Sequence, residues 1–477
     1  MTGFHKCVAV FSCFAAENGP CNEGSSTLHC KEDHTMKSQA ASARKLLKTV
    51  IQDMEQKKEH FVRTPGKDFS RHRKLGFSSV VSVLLSLGGG STANGLLDHF
   101  QFDPAAATAS AFIQQRSKLK PEAMQYLLQR FAQMAPAPKT VLGYRLLAVD
   151  GSDLNIFADP ADESSYYPGT NGQKPYGLLH LNALFDLENR IYTDALIQKS
   201  RQGNEHKALA EMVDRSGIHH AILIADRGYE GYNNLAHLQE KGWKYLIRIK
   251  DGRSGIAGGL DLPDKDEFDV PFDLRLTYRQ TKEVRALCAA DRNHCKWIPS
   301  SVHFDYLDPK NRKHDPLSFY SLAFRIVRFR LSGPSFETVI TNLPADTFPP
   351  GRLRLLYAKR WGIETSFRQL IYTVGLIHFH AKKADHIFQE VFAALTMYNF
   401  SELITSSVVI QKRNTKYSYS VNFAAAVHLC RNFFLGNVSP PHLEALLSKL
   451  LLPFRPGRSN PRNLTNRPSF SFLYRVA

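Results

Sequence analysis

No apolar run in this 477-residue chain reaches the ~18 residues that a membrane-spanning helix needs. The longest, Val80–Leu87 and Phe423–Leu429, are short and broken by Ser or His, so no membrane association through a span is expected. Internal repeats are missing as well. Cysteine is sparse, with seven in all, and the four early ones (Cys7, Cys13, Cys21, Cys30) lack the CxxC spacing of a zinc site. An odd cysteine count without a regular framework points to a reducing compartment, and the expected location is the cytoplasm, in association with the nucleoid. Residues 1–35 are expected to lie outside the working fold, with Met36 opening a basic amphipathic stretch. At 43% apolar, 22% charged and 11% aromatic the composition is that of an ordinary globular protein, which sets aside wholesale disorder and collagen-like repeats.

Acid is the scarcer charge: 44 Asp and Glu against 61 Lys and Arg leave a net charge of +17. That excess is local. Lys37–Lys74 carries net +7, Gly351–Lys383 net +6 and Arg455–Ala477 net +5, so the remainder is close to neutral. Clustered cations on a neutral scaffold suit a polyanion, either nucleic acid or an anionic membrane surface. Solvated basic faces are the plain alternative.

Pattern divides the chain. Phe77–Leu87 reads as an apolar helix stopped by Gly88–Gly90, and Ser91 or Thr92 can cap a second helix, Ala93–Phe100. A helix, tight turn and helix suits DNA reading or simple packing. Ala105–Phe131 continues helical to a linker at Pro136 and Pro138. Tyr144–Asp150, Leu178–Asp186, Arg190–Ile197, His220–Ala225 and Trp243–Lys250 read as strands, with helices at Glu205–Arg215 and Tyr232–Lys241, the order of a mixed sheet with helices. Glu205 and His206 are read as structural residues that start their helix. Residues 251–335 alternate and turn like an all-β insertion, and Glu337–Leu343 can rejoin the sheet. A long helix is predicted from Pro349–Pro350 through Thr373, then further helices at Ala384–Ser407 and Asn422–Phe434. The expected segments are thus a doubtful extension (1–35), a helical DNA-binding region (36–140), a core first part (141–250), the insertion (251–335), a core second part (336–410) and C-terminal helices with a basic tail (411–477).

Two strands run into aspartates, Asp150 in VDGSD and Asp226 in ADRGY, each followed within two residues by a glycine that lets the backbone turn. Loop-capping aspartates look the same. A third acid separates the readings. On one helix, Tyr357, Arg360 and Glu364 fall on one face at 100° per residue, with Arg368 beside them. Two strand-end carboxylates and one helical carboxylate are what a two-metal phosphoryl-transfer site requires, and the neighbouring guanidiniums can hold phosphates. In VDGSD, Asp153 is a second candidate; Asp150 is preferred because it directly follows the apolar strand. Lys382 and Lys383, after HFHA, are expected to line DNA.

These residues resemble the DDE transposases of bacterial insertion sequences, of the insertion-sequence-four type. YAKRWGIETSFRQLI supplies Tyr357, Arg360 and Glu364 of the helix signature, ADRGY resembles the second-Asp motif and VDGSD the first. FSRHRKLGF (Phe69–Phe77) resembles the entry segment, so the likeness spans roughly Arg63–Ile404. The resemblance implies an α/β fold, an RNase H-like mixed-sheet catalytic core interrupted by an all-β insertion, with helical N- and C-terminal regions. It implies that Asp150, Asp226 and Glu364 are catalytic and bind two Mg2+ (or Mn2+) ions, while Tyr357 and Arg360 contact phosphates. The implied partners are double-stranded DNA, both the element's terminal inverted repeats and its target, and a second copy of the chain in a homodimer. Strand cleavage and transfer would then proceed by direct attack, first by water and then by a freed 3′-hydroxyl, and Trp297 of the insertion is a candidate to stack an unpaired base. One position departs: the signature's final Lys falls at Ile371, where Arg368 would have to take its place. That departure keeps open a catalytically weakened DNA-binding remnant, beside a metal-dependent nuclease without strand transfer.

Overall fold

The computed structural model describes residues 29–136, 139–169, 174–251, 255–279, 281–307, 319–408, 410 and 417–454. Residues 1–28 and the basic tail from Arg455 lie outside the described residues. Two compact units divide the chain: residues 1–131, 168–176 and 369–477 in one, and residues 132–167 and 177–368 in the other.

The first unit is helical. It opens with α1 (His29–Gln56), within which Met36 lies. Next come α2 (Phe77–Ser86), α3 (Thr92–His99) and α4 (Ala109–Arg116), followed by α5 (Glu122–Met134). Ser91 caps α3 by accepting from Asn94 N–H, and Thr108 caps α4 by accepting from Ala111 N–H. The single helix expected over Ala105–Phe131 is therefore two, parted just before Pro121, whose ring cannot donate the missing hydrogen bond.

The second unit is built on one ten-stranded sheet. Its strands are β1 (Arg145–Ile156), β2 (Tyr166–Tyr167), β3 (Tyr176–Asp186), β4 (Ile191–Lys199), β5 (Ala221–Ala225), β6 (Lys244–Arg248), β7 (Phe268–Thr277), β8 (Cys295–Trp297), β9 (Tyr320–Ser332) and β10 (Ser335–Thr341). They run in the order β2-β3-β1-β5-β6-β10-β9-β7-β8, with β4 also paired to β3. β1, β5 and β6 are parallel, whereas β3 and β10 flank them antiparallel. The parallel centre is why β5 reads as an unbroken apolar run: all five of its residues are buried. Leu147, Val149, Leu223 and Ala225 pack with Leu209 and Val213 of α6 (Glu205–Arg215) and Leu235 and Leu238 of α7 (Tyr232–Glu240). Leu146, Ile222 and Ile224 instead join Leu353 and Leu356 of a later helix.

Residues 251–335 are not all strand. They hold α8 (Lys282–Ala290), which Thr281 caps by accepting from Val284 N–H, and β7, β8 and β9 extend the main sheet rather than forming a separate one. Cys288 of α8 is disulfide-bonded to Cys295 of β8, a pairing that their spacing does not announce.

The long helix expected from Pro350 to Thr373 is broken twice. α9 (Pro350–Ala358) and α10 (Trp361–Arg368) are separated at Lys359–Arg360, and α10 runs on as a π-helical turn over Gln369–Val374. Across the first break the N–H groups of Arg360, Gly362 and Ile363 each bond three residues back, the tighter 3₁₀ pattern. Gly362 permits a close approach here, since a Cβ would stand 2.8 Å from Leu187 Cδ2.

The helical unit resumes with α11 (Ala384–Thr405), α12 (Phe423–Leu435) and α13 (Pro440–Lys449), and with a hairpin of β11 (Ser418–Val421) and β12 (Leu451–Phe454). Arg116 is buried within this unit, bonding Gln389 Oε1 at 3.1 Å, Glu390 Oε1 at 2.8 Å and the His386 carbonyl at 2.7 Å.

Candidate active site

The register of the sheet brings the first two acids together. β1 and β5 run parallel with Ala148 level with Ile224. Two residues further along stand Asp150, still within β1, and Asp226, just past the end of β5. Asp150 is not at the end of its strand, as the sequence predicts. β1 continues to Ile156 because β3 pairs with it over Leu147–Ile156, while the pairing with parallel β5 stops at Ala148. Asp226 follows the last residue of β5 and caps a short 3₁₀ turn, accepting from Gly228 N–H at 2.8 Å.

Glu364 lies in the first turn of α10 and accepts a 2.9 Å hydrogen bond from Arg360 Nη2. Its carboxylate and that of Asp226 are both near enough to act on Asp150. Burial first, and then repulsion from Asp226 and Glu364, push the Asp150 carboxyl up to about 6, against the pull of the Gly151 N–H and the Arg360 guanidinium. Asp226 and Glu364 thus both lie within electrostatic reach of Asp150 in the sheet unit. All offer oxygen, the donor type that hard divalent cations take. Among the described residues, however, no three His, Cys, Asp or Glu side chains stand close enough to cage a cation as they are.

Arg360 is buried beside them, stacked on the Trp361 ring at 4.8 Å, and its Nε has no hydrogen-bond partner. Burial alone would lower its pKa, but Tyr357, Glu364 and Asp150 hold it above the ordinary arginine value. Tyr357, near the end of α9, is buried too, and burial raises its hydroxyl well above the usual tyrosine range. Arg368 is exposed at the end of α10. Lys382 and Lys383 are exposed and belong to the helical unit, immediately before α11. Ile371 sits in the π-helical turn, so the 100° per residue face drawn through Tyr357 and Arg368 does not extend to it. Trp297, at the end of β8, is 39% exposed.

Two further groups stand here that motif spacing did not single out. His180 on β3 is level with Asp153 on β1. Its Nδ1 lies 2.8 Å from Asp153 Oδ1 and its Nε2 3.0 Å from Glu205 Oε1, at the start of α6. These two acids push the imidazole up to about 9, so it carries a charge at neutral pH. Tyr229, in the turn after Asp226, is fully buried and its hydroxyl has no partner; burial first, then Glu205, Asp150 and Asp226, raise its pKa well above the usual range. The signal for His180 is in the strand pairing, which spacing along the chain does not carry, whereas Tyr229 stands in ADRGY itself, three residues after Asp226.

Carboxylates in one strand, just past the end of its parallel neighbour and on a helix, with a buried arginine beside them, are the residue types that a phosphoryl-transfer site uses. The family described as a transposase DDE domain matches residues 142–400, more than half of the chain and all three acids, and the chain belongs to that family. Transposase InsG for insertion sequence element IS4, from Escherichia coli (strain K12), is 22% identical over 380 residues, covering 75% of this chain and 77% of that protein. A solved chain, piggyBac transposase in a synaptic complex with hairpin DNA, covers 88% of this chain and 87% of its own at 10% identity, with a TM-score of 0.40. The activity is accordingly that of a DNA transposase of the DDE class and the insertion-sequence-four type, an enzyme of DNA cleavage and strand transfer.

Proposed function

We propose that Asp150, Asp226 and Glu364 are the catalytic carboxylates and that they hold two divalent cations, Mg2+ or Mn2+, for work on the ends of an insertion sequence. The observation that carries this is the β1/β5 register, which ends at Ala148 and Ile224, two residues before each aspartate. Such cations, when bound, activate the attacking oxygen and stabilise the leaving one. The protein's own share is position and charge. Arg360, fixed by Glu364 and stacked on Trp361, offers a fork for a phosphate's two free oxygens. Tyr357 adds a hydroxyl next to it, and Arg368 stands in for the cation that the family has where this chain has Ile371. Attack by water and then by the freed 3′-hydroxyl needs no covalent link to the protein.

The sheet unit is read as an RNase H-like core with residues 251–335 as a β-rich insertion, where Trp297 is offered for stacking a base. The helical region 36–140 and the exposed Lys382 and Lys383 are assigned to binding double-stranded DNA, both terminal inverted repeats and target. Two ends must meet for transfer, so the working form is a homodimer, with the C-terminal helices (411–477) as its contact. No helix of the described residues is long and apolar enough to cross a membrane, and the proposed location is the cytoplasm, on the nucleoid.

The test uses the full chain, Mg2+ or Mn2+, and labelled DNA carrying the element's own flanking repeats. Joined products are expected; cleavage without joining would make the protein a nuclease. Asp226→Ala and Glu364→Ala should abolish products and leave DNA binding intact, and a variant that cuts like the parent would overturn the assignment. Ile371 favours a second reading, a DNA-binding remnant with weakened catalysis, whose signature is binding without either product.

A further inference from the structure

Glu205 does more than start a helix. It is the first residue of α6, after the Asn204 cap, and its two carboxylate oxygens face different ways. Oε1 meets His180 Nε2 at 3.0 Å and lies 2.8 Å from where a Cβ on Gly151 would be. Oε2 lies 3.7 Å from the Cβ position of Gly228, and Asp226 Oδ1 lies 2.9 Å from that same point. Glu205 therefore reaches the glycine after the first aspartate with one oxygen and the immediate neighbourhood of the second aspartate with the other. A helix-capping acid has no need of that reach: the α6 N-terminus is already capped by Asn204, which accepts from Lys207 N–H at 3.0 Å.

A second observation points to a ligand at the same place. The Tyr229 hydroxyl is buried without a hydrogen-bond partner, and the carboxylates that act on it are Glu205, Asp150 and Asp226, with Glu205 foremost. A hydroxyl left unpaired in a protein interior is costly unless something else satisfies it. A hydrated cation among those three acids would do so through one of its waters.

We infer that Glu205 is a fourth carboxylate of the divalent-cation site, facing the cation through Oε2 while His180 holds Oε1, with the Tyr229 hydroxyl meeting the cation's water shell. The inference rests on the reading of Asp150, Asp226 and Glu364 given above. His180 is a positioning residue, anchored on its far side by Asp153 at 2.8 Å. A buttressed ligand of this kind has a large effect, since groups that orient a metal ligand commonly change affinity ~10–100-fold.

Mn2+ alone is the probe, titrated into the full chain without DNA, with free Mn2+ read by electron paramagnetic resonance. Glu205→Gln keeps the side chain's shape and an oxygen for His180 but removes the charge. It should weaken Mn2+ binding at least about tenfold and shrink the rise in melting temperature that Mn2+ produces, while the lost His180 ion pair lowers the melting temperature without Mn2+ by no more than about 4 °C. Glu205→Asp, which keeps the charge but shortens the reach, should fall between the two. Asp264→Asn, an exposed acid of the 251–335 stretch, is the control for loose surface binding. Parent-like Mn2+ affinity in Glu205→Gln, beside a loss in Asp226→Asn, would overturn the role of Glu205 alone. Parent-like affinity in Asp226→Asn would overturn the cation site itself. An equal loss in Asp264→Asn would also overturn the inference.

Discussion

Gly151→Ala adds a single methyl group, and the structure says what that methyl meets. Its Cβ would stand 2.5 Å from His180 Nε2 and 2.8 Å from Glu205 Oε1, both closer than real Cβ contacts come. The backbone here is ordinary β-strand, so the penalty is steric rather than conformational. Both obstacles are side-chain ends and can move, but His180 is held by Asp153 on one side and Glu205 on the other. Moving it away breaks two ion pairs. Asp153 and Glu205 are 55% and 39% exposed, so solvent screens each pair to about 1 kcal/mol or less. The loss of stability should therefore not exceed about 2 kcal/mol, a fall in melting temperature of no more than about 8 °C. Activity should suffer far more, because the displaced groups flank Asp150 and Asp226, and misplacement by ~1 Å can cost ~100-fold in rate. Differential scanning fluorimetry and single-turnover cleavage of labelled element ends measure the two effects on one preparation. A cleavage rate within threefold of the parent would refute the reasoning, as would a variant that fails to fold.

Arg116→Met leaves Glu390 and Gln389 buried without their partner, and should destabilise the helical unit by about 3–5 kcal/mol; urea unfolding with an unchanged slope checks it. His180 is raised to about 9 by Asp153 and Glu205, so between pH 6.5 and 9 the folded protein holds a proton that the unfolded chain releases. The contribution is complete below about pH 6.5 and is lost as pH rises through 9, so melting temperatures across that window should fall more steeply in the parent than in His180→Gln. Gly351 lies in α9 with nothing within 4 Å of its Cβ position, and Gly351→Ala should stabilise by up to about 1 kcal/mol without changing cleavage. Ile371→Lys adds the family's cation; with Arg368 already standing in, end cleavage should stay within about threefold of the parent, and a ten- to hundredfold gain, the worth of a charged contact of about 1.5–3 kcal/mol, would favour the weakened remnant instead.

Much of the sheet unit was legible because its signals are local. β5 reads as a strand from its unbroken apolar run, and α6 is found over Glu205–Arg215 as expected because Asn204 caps it and its apolar residues recur at helical spacing. Asp150 and Asp226 stood out by being the first acids after such runs. The helix carrying Glu364 was found but misdrawn, since a tight turn at Lys359–Arg360 and a π-helical turn after Arg368 leave little trace in residue type. Arg360 still pairs with Glu364, because a spacing of four residues survives a local tightening of the turn. The helix within 251–335 was missed for the opposite reason: Lys282–Ala290 is short and has one buried residue, Val284, so it has no apolar stripe to read.

His180 and Glu205 were illegible for a deeper reason. His180 is 27 residues from Asp153 and becomes its neighbour only when β1 and β3 pair in one particular register. A slip of one residue would turn His180 to the other face of the sheet. Glu205 in turn needs that histidine in place and two glycines, Gly151 and Gly228, that let its carboxylate approach the strand ends. The same alignment that sets Ala148 beside Ile224 carries Asp150 to Asp226. The apolar core fixes that register, through Leu147 and Val149 on one face of β1 and Leu146 on the other. Substitutions that loosen this packing should therefore weaken the acidic cluster before they unfold the sheet, because a carboxyl pushed up to about 6, first by burial and then by Asp226 and Glu364, is held in that place by the strands beneath it.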